Sequence, residues 1–322
     1  MIDKFRISKV QAMEIINGRG IPAVQVEVTT SDGVKAVASS PSGNSISGNE
    51  AVEVRDGGKR LMGKGVLKAV KNVNKYIEPK IIGMDVRNQY EIDKAIILLD
   101  CTSNMSRLGG NATTAVSLAV VKVAAAQLCI PVYRYLGGIK SNKIPIICPN
   151  LISGSKTAGN QLDFEDYLIV PFGFDTIRKA ITASVEVFHV LHRILKRKYG
   201  LIPQITALAP PLKTNDEAFS FILEAISRAG YEGKISLAID VASELIYDKK
   251  KDIYKMNNKT LNRDGIIDLY RELVEKYPII FIEDGLNEND FEGFSLMNRK
   301  VDCLIVGDDL FGTNKRLLSK GY

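Results

Sequence analysis

Hydrophobic and polar residues alternate in the first part of the chain and then change to a helical spacing. Valines at every second position between residues 24 and 28 are separated by polar residues, as in a strand that is buried on one face. Ser-Asp-Gly at 31–33 is a turn signal, and strand-like character resumes over residues 34–38. These positions predict a β-hairpin that packs on one side.

Two later stretches carry the spacing of helices. Apolar residues recur every three or four positions over 66–77 and stop before Pro79, which predicts a helix that ends there. Residues 113–128 are rich in Ala and Val on nearly all sides, which predicts a buried helix. Strands followed by helices make residues 1–138 a separate α+β domain.

From residue 139 onward, strand, loop and helix patterns repeat, which is typical of the βα units of a barrel. About six strands can be counted, whereas a barrel of this type closes with about eight. The candidate strands are residues 144–147, 167–170, a weak segment at 204–208, and apolar runs at 237–239, 279–282 and 304–307. The sequence therefore predicts an α/β protein in which residues 139–322 form an incomplete TIM-like β/α barrel.

Each of the last three apolar runs is followed by an acidic residue, namely Asp240, Glu283 and Asp308. Parallel strands of a barrel bring their C-terminal ends to one rim, where the chemistry of such barrels is located. Carboxylate oxygens are the ligands that hard divalent cations such as Mg²⁺ prefer. The three acids therefore form a candidate metal site.

Composition narrows the class of protein without naming a function. Hydrophobic residues make up 45% and charged residues 25% of the 322 positions, as in ordinary globular proteins. The net charge of +6 comes with no nucleic-acid motif, so we interpret the basic clusters as solvated surface and expect no nucleic-acid partner. No apolar run approaches the roughly 20 residues of a membrane span, and the four cysteines form no C-x-x-C pair. We expect a cytoplasmic protein with reduced thiols, no signal peptide and no membrane partner.

Short segments along the whole chain follow a distinctive order. They are Pro41-Ser42-Gly43, Gly63-Lys64-Gly65-Val66, Tyr133-Arg134-Tyr135-Leu136-Gly137-Gly138, Ala209-Pro210-Pro211-Leu212, Ile282-Glu283-Asp284 and Gly307-Asp308-Asp309-Leu310. In these segments the chain resembles enolase, the glycolytic phosphopyruvate hydratase. The resemblance implies an N-terminal domain of the enolase type over residues 1–138 and an enolase-type barrel over residues 139–322.

The resemblance also implies a chemistry, the reversible dehydration of 2-phosphoglycerate to phosphoenolpyruvate. In that family two Mg²⁺ ions stabilise an ene-diolate while a lysine removes the α-proton, and a glutamate then assists departure of the hydroxyl as general acid. Asp240, Glu283 and Asp308 match the ligands of the family's first metal site. We therefore expect Mg²⁺ as cofactor, bound at one site.

Other positions of the family's site are matched weakly or replaced. Ile205 stands where the family has its general-acid glutamate, and an isoleucine cannot transfer a proton. Asp166 matches a family acidic residue, Thr157 replaces the histidine of the substrate loop, and Ser45 matches a serine of the family's mobile loop. By resemblance, Ser45, Thr157 and Asp166 are the candidate substrate-binding residues.

Three readings of the function follow from these replacements. The first is a catalytically silent enolase homologue with one metal site and a binding or regulatory role, because Ile205 and Thr157 remove family groups and the family's lysine lies on strands beyond the last residue. The second is an active enolase, and the third is a non-functional fragment. Expected partners are weakly bound 2-phosphoglycerate or phosphoenolpyruvate, and a second copy of the chain or an enolase-like partner chain. An open sheet of six strands would also expose two edges, which favour association. The first reading is the one the sequence predicts.

Overall fold

The computed structural model describes residues 3–43, 47–204, 206–256 and 259–321, with residues 156 and 157 described by their backbone. Contacts between Cα atoms divide the chain into two compact units. The first unit comprises Met1–Ile46 and Glu50–Lys143, and the second comprises Ser47–Asn49 and Ile144–Tyr322. The short segment Ser47–Asn49 therefore belongs to the second unit, although both of its neighbouring segments belong to the first.

The first unit is a three-stranded antiparallel sheet covered by helices, with the strand order β1-β2-β3. Its elements are β1 (Ile7–Ile16), β2 (Pro22–Thr30), β3 (Lys35–Ser39), α1 (Leu67–Asn72), α2 (Glu78–Ile81), α3 (Gln89–Asp100), α4 (Gly110–Gln127) and α5 (Val132–Gly137), with a 3₁₀ turn at Arg60–Gly63 and a π turn at Val73–Ile77. The predicted hairpin is present as β2 and β3, and the alternating valines 24, 26 and 28 are fully buried.

Helix α4 packs against β2 and β3, and most of its residues are buried, as the Ala- and Val-rich sequence predicts. The helix predicted over 66–77 differs from the expectation, because the chain stays helical through Pro79 to the end of α2. The π turn lies immediately before α2, and Pro79 occupies the first turn of α2, directly after the change in hydrogen-bond spacing.

The second unit contains a five-stranded sheet with the order β11-β10-β6-β5-β4 and a small meander β7-β8-β9. Its elements are β4 (Asn150–Ser153), α6 (Ser155–Ala158), β5 (Asp166–Val170), α7 (Ile177–Tyr199), α8 (Asn215–Arg228), β6 (Ser236–Asp240), β7 (Tyr247–Asp248), β8 (Ile253–Met256), β9 (Lys259–Leu261), α9 (Arg263–Lys276), β10 (Ile279–Glu283), α10 (Phe291–Lys300), β11 (Leu304–Val306) and α11 (Lys315–Gly321), with a 3₁₀ turn at Ser243–Leu245. The α/β class that the sequence predicts is confirmed.

Strand number and direction differ in part from the sequence prediction. Strands β6, β10 and β11 are parallel, whereas β5 runs antiparallel to both β4 and β6. Residues 144–147 form no strand, because Pro145 removes an N–H group from this segment, and the first strand begins at Asn150. Residues 204–208 contribute isolated bridges at Gln204 and Leu208. The main sheet within the described ranges therefore has five strands where the sequence suggests about six.

Candidate metal centre

The register of the main sheet places three acidic residues side by side at one edge. Asp166 pairs with Asp240 across β5 and β6, and Asp240 pairs with Glu283 across β6 and β10. Asp166 lies at the start of an antiparallel strand, whereas Asp240 and Glu283 end parallel strands, so all three reach the same rim. Asp240 and Glu283 are the first polar residues after the apolar runs of β6 and β10, whereas Asp166 precedes the apolar run of β5.

Carboxylate oxygens of Asp240, Glu283 and Asp284 lie within 4.8 Å of one another. Asp284 follows Glu283 directly, and in a regular strand its side chain would point to the opposite face. Its backbone is left-handed, with φ of 44°, and this turn breaks the alternation. The sequence analysis assigned no role to Asp284. The pair of adjacent acids at the end of an apolar run was the feature of the sequence that could have indicated one.

Burial and mutual repulsion raise the pKa values of this group. Burial raises the pKa of Asp240 to about 9, and the charges of Glu283, Asp284 and Glu165 act in the same direction. Burial likewise raises the pKa of Glu283 to about 7, with further contributions from its acidic neighbours. The side chain of Glu283 accepts no hydrogen bond within the described part of the chain. A bound cation or a proton is needed to reduce the repulsion between these carboxylates.

Asp308 lies two residues beyond β11, and its side chain is exposed. It is not one of the three acids whose oxygens lie within 4.8 Å, but its charge raises the pKa of Glu283. Its backbone N–H donates to Asp284 Oδ2 at 3.1 Å. As a metal ligand, Asp308 stays a prediction, as do Asp240 and Glu283.

Two further carboxyl groups lie at this rim, Glu165 and Asp166. Burial is the main cause that raises the pKa of Asp166, although Asn150 Nδ2 and Ser153 Oγ both donate hydrogen bonds to its Oδ1. Burial also raises the pKa of Glu165, with the charge of Asp166 adding to the effect. The charge of Glu165 contributes to the raised pKa of Asp240, so these carboxyl groups share one electrostatic environment.

Three residues carried over from the resemblance cannot be placed. Ser45 and Ile205 lie outside the described residues, and so does the side chain of Thr157. The neighbouring Ser47 is described, and its hydroxyl donates to Glu288 Oε2 at 2.7 Å. Gly48 N–H donates to the same oxygen at 3.0 Å, so residue 288 ties segment 47–49 to the second unit.

A cavity of about 640 Å³ opens between two loops that leave the acidic rim, one after β4 and one after β6. Most of the residues that line it are polar. They are Ser155, Asn160, Gln161, Asp163, Tyr247, Asp248, Lys249, Lys250 and Lys255. Among the helices that the structure describes, none is both long and apolar enough to cross a membrane.

Fold and site together define a class of protein. It is an α/β protein whose sheet delivers carboxylates to one rim, a donor set of oxygens that suits a hard divalent cation. Residues 7–136 match the family described as Enolase, N-terminal domain, and residues 141–322 match Enolase, C-terminal TIM barrel domain. The chain belongs to the enolase family.

Curated relatives extend this similarity along the chain. A protein named Enolase from Methanocaldococcus jannaschii is 46% identical over 325 residues, covering 100% of this chain and 76% of the relative. Enolases of Methanopyrus kandleri and Pyrococcus furiosus are 45% and 44% identical, covering 98% and 100% of this chain and 76% of each relative.

The prediction of a catalytically silent homologue is wrong. Relatives named Enolase match this chain at 44–46% identity over nearly all of its residues, which favours an active enzyme over the silent reading. The replacements at Ile205 and Thr157 are weaker evidence about activity than identity along nearly the whole chain. Because the relatives are longer than this chain, its last residue says nothing about the lysine that removes the proton.

Proposed function

We propose that this protein is an active enolase that interconverts 2-phosphoglycerate and phosphoenolpyruvate in glycolysis, and that it works in the cytoplasm. The observation that carries the proposal is the extent of identity to proteins named Enolase, which covers the whole chain. The acidic rim adds a physical argument, because a reaction that creates negative charge beside a carboxylate needs that charge to be met electrostatically.

Mg²⁺ is the cation we assign to this site, with Asp240, Glu283 and Asp308 as its protein ligands. The residues fit the ion, because the donors are carboxylate oxygens, because those of Asp240 and Glu283 lie within 4.8 Å of each other, and because the charge of Asp308 raises the pKa of Glu283. When bound, Mg²⁺ would stabilise the negative charge that develops on the substrate carboxylate as the α-proton leaves. We propose one such site on the described residues.

Glu165 and Asp166 are the carboxyl groups at the rim that this assignment leaves free to handle protons. Burial raises the pKa of each, so both hold a proton at a higher pH than a carboxyl group in water does. Asn150 and Ser153 orient the carboxylate of Asp166 by hydrogen bonds. Asp166 therefore remains a predicted substrate contact, together with Ser45 and Thr157.

The test is the formation of phosphoenolpyruvate from 2-phosphoglycerate by the purified chain with Mg²⁺, followed by its ultraviolet absorbance. We expect turnover that depends on Mg²⁺ and is lost in Asp240→Asn. The matched control is Asp302→Asn, which removes an exposed acid just before β11 and should leave turnover unchanged. Absence of phosphoenolpyruvate at saturating Mg²⁺, or full turnover in Asp240→Asn, would contradict the proposal.

A further inference from the structure

Asp284 is nearly fully buried, with 3% of its surface exposed, and its carboxylate accepts three backbone hydrogen bonds. Oδ2 accepts the N–H groups of Asp308 and Asp309 at 3.1 and 2.8 Å, and Oδ1 accepts that of Leu310 at 3.3 Å. Both oxygens are therefore occupied by one short segment, the turn that follows β11.

The backbone of Asp284 also makes hydrogen bonds to two neighbouring segments of the sheet. Its N–H donates to the carbonyl of Val306 at 3.0 Å, and its carbonyl accepts the N–H of Ser243 at 3.1 Å. The residue thus joins the ends of β10 and β11 to the segment after β6. Its left-handed φ of 44° turns the carboxylate toward these partners, in a conformation that Asp tolerates better than most residues.

Asp308 itself has few restraints of its own. Its side chain is exposed and, within the described ranges, makes no hydrogen bond. Its position relative to Asp240 and Glu283 therefore depends on the backbone of the turn. Asp284 accepts the N–H groups of this turn, and the side chains of Ser47 and Asn49 donate to its carbonyl groups. Among these side chains, that of Asp284 is the one that bonds to the N–H of Asp308 itself.

We infer that Asp284 is a positioning residue that fixes the turn bearing Asp308 and so sets the affinity of the rim for a divalent cation. The inference rests on the proposed cation site. Groups that orient a metal ligand from behind contribute about 10- to 100-fold to metal affinity in other proteins. Three N–H groups take three of the about four lone-pair sites of the Asp284 carboxylate, so its main action is through Asp308 rather than as a ligand.

The experiment measures Mg²⁺ affinity by calorimetry without substrate, for the wild type, Asp284→Asn, Asp308→Asn and the double variant. An asparagine at 284 keeps the shape but turns an NH₂ group toward at least one backbone N–H. We expect about a 10- to 100-fold weaker affinity in Asp284→Asn, and no further weakening when it is added to Asp308→Asn.

The matched control is Asp100→Asn in the first unit. Asp100 is also a fully buried acid, and its oxygens accept the N–H groups of Thr102 and Leu108. We expect Asp100→Asn to lower the midpoint of thermal unfolding while leaving Mg²⁺ affinity unchanged. That result would show that the loss of a buried carboxylate that accepts backbone N–H groups does not by itself explain the effect of Asp284→Asn.

Two results would overturn the inference. One is wild-type affinity in Asp284→Asn, and the other is an equal loss in the Asp308→Asn background, which would make Asp284 a ligand itself. If Asp284→Asn does not fold, amide hydrogen exchange of the wild type replaces the affinity measurement. Rapid exchange of the N–H groups of Asp308, Asp309 and Leu310 would then overturn the inference, because it would mean that Asp284 does not hold the turn. Cation binding without turnover would contradict the proposed function alone, whereas no binding by the wild type would remove the site on which both rest.

Discussion

Carboxylates in the two units have opposite surroundings: Asp100 is fully buried, whereas Asp240 and Glu283 are half-buried. In the first unit, Asp100 ends helix α3 and accepts hydrogen bonds from Leu108 N–H at 2.6 Å and Thr102 N–H at 3.1 Å. In the second unit, Asp240 and Glu283 face each other and Asp284 across the rim. Asp240 accepts one backbone hydrogen bond, from Ala242 at 2.9 Å, and Glu283 accepts none from the described residues.

The difference shows how surroundings separate a structural acid from a functional one. A buried carboxylate whose oxygens meet N–H donors stabilises the fold. Carboxylates about 5 Å apart repel each other by roughly 3 kcal/mol per pair at an effective dielectric of about 20, and they persist because an ion or a proton relieves them. Asp100 belongs to the first kind and the rim pair to the second.

The largest effect is expected from Glu283→Gln. Removing one charge from the rim weakens the cation site, and loss of several kcal/mol of transition-state stabilisation lowers turnover by about 10³-fold or more. Asp100→Asn should keep turnover within about 2-fold, because its carboxylate touches only backbone and Thr102. The measurement is the initial rate of phosphoenolpyruvate formation at saturating Mg²⁺, and equal rates in the two variants would erase the contrast between the units.

The pH dependence of stability sharpens the contrast without any substrate. The folded pKa of Asp240 is about 9 and that of Glu283 about 7, both above their values in the unfolded chain. Without a cation, these two groups therefore stabilise the fold fully below about pH 4. Their contribution to the free energy of unfolding decreases as pH rises, up to about pH 7 for Glu283 and about pH 9 for Asp240. We expect a decrease on the order of a few kcal/mol between about pH 5 and pH 8.5.

Urea unfolding at these two pH values, with a chelator and with Mg²⁺, measures this dependence. Mg²⁺ should restore stability most at the higher pH, because the ion competes with protons for the same oxygens. In Asp240→Asn the decrease should be smaller, since that group no longer titrates. Stability that rises with pH in the chelator would contradict the assignment of repelling acids at the rim.

A moderate effect is expected from Asp100→Asn on stability alone. The amide leaves one buried N–H group without an acceptor, which lowers the free energy of unfolding by about 1–3 kcal/mol. The loss should be the same with and without Mg²⁺, because Asp100 lies in the first unit. A loss that disappears when Mg²⁺ is added would mean that the two kinds of acid are not independent.

The smallest effect is expected from an exposed acid. Asp175 pairs with Lys179 at 2.9 Å at the start of α7, and its side chain is 70% exposed. Asp175→Asn should change the free energy of unfolding by less than about 0.5 kcal/mol, because water screens such pairs. Urea unfolding in high salt is the check, since the already small difference should vanish there.

Short-range patterns in the sequence predict much of this molecule. The valines of β2 and the Ala-rich α4 are buried as expected, because period and apolar content determine which face packs. The acids at 240 and 283 meet at one rim because parallel strands end there in register. The helix past Pro79 was not predicted, since a π turn before α2 changes the hydrogen bonding that the proline would otherwise break.

Features that depend on tertiary contacts could not be predicted from local pattern. The role of Asp284 requires a left-handed φ and three N–H donors that come from a turn 24 to 26 positions further along the chain. Strand β5 runs antiparallel, which an apolar run does not reveal because it has the same appearance in either direction. Two replaced family residues, Ile205 and Thr157, together with the family lysine beyond the last residue, led to the wrong prediction of a silent protein.

The most direct test of the cation site is calorimetric titration of the purified chain with Mg²⁺ at about pH 7.5, in two buffers of different ionisation enthalpy. Because Asp240 holds a proton at this pH, we predict binding that releases about one proton per ion, with Asp240→Asn abolishing both the heat and the release. Absence of binding, or binding that releases no proton in the wild type, would contradict a cation site built from these carboxylates.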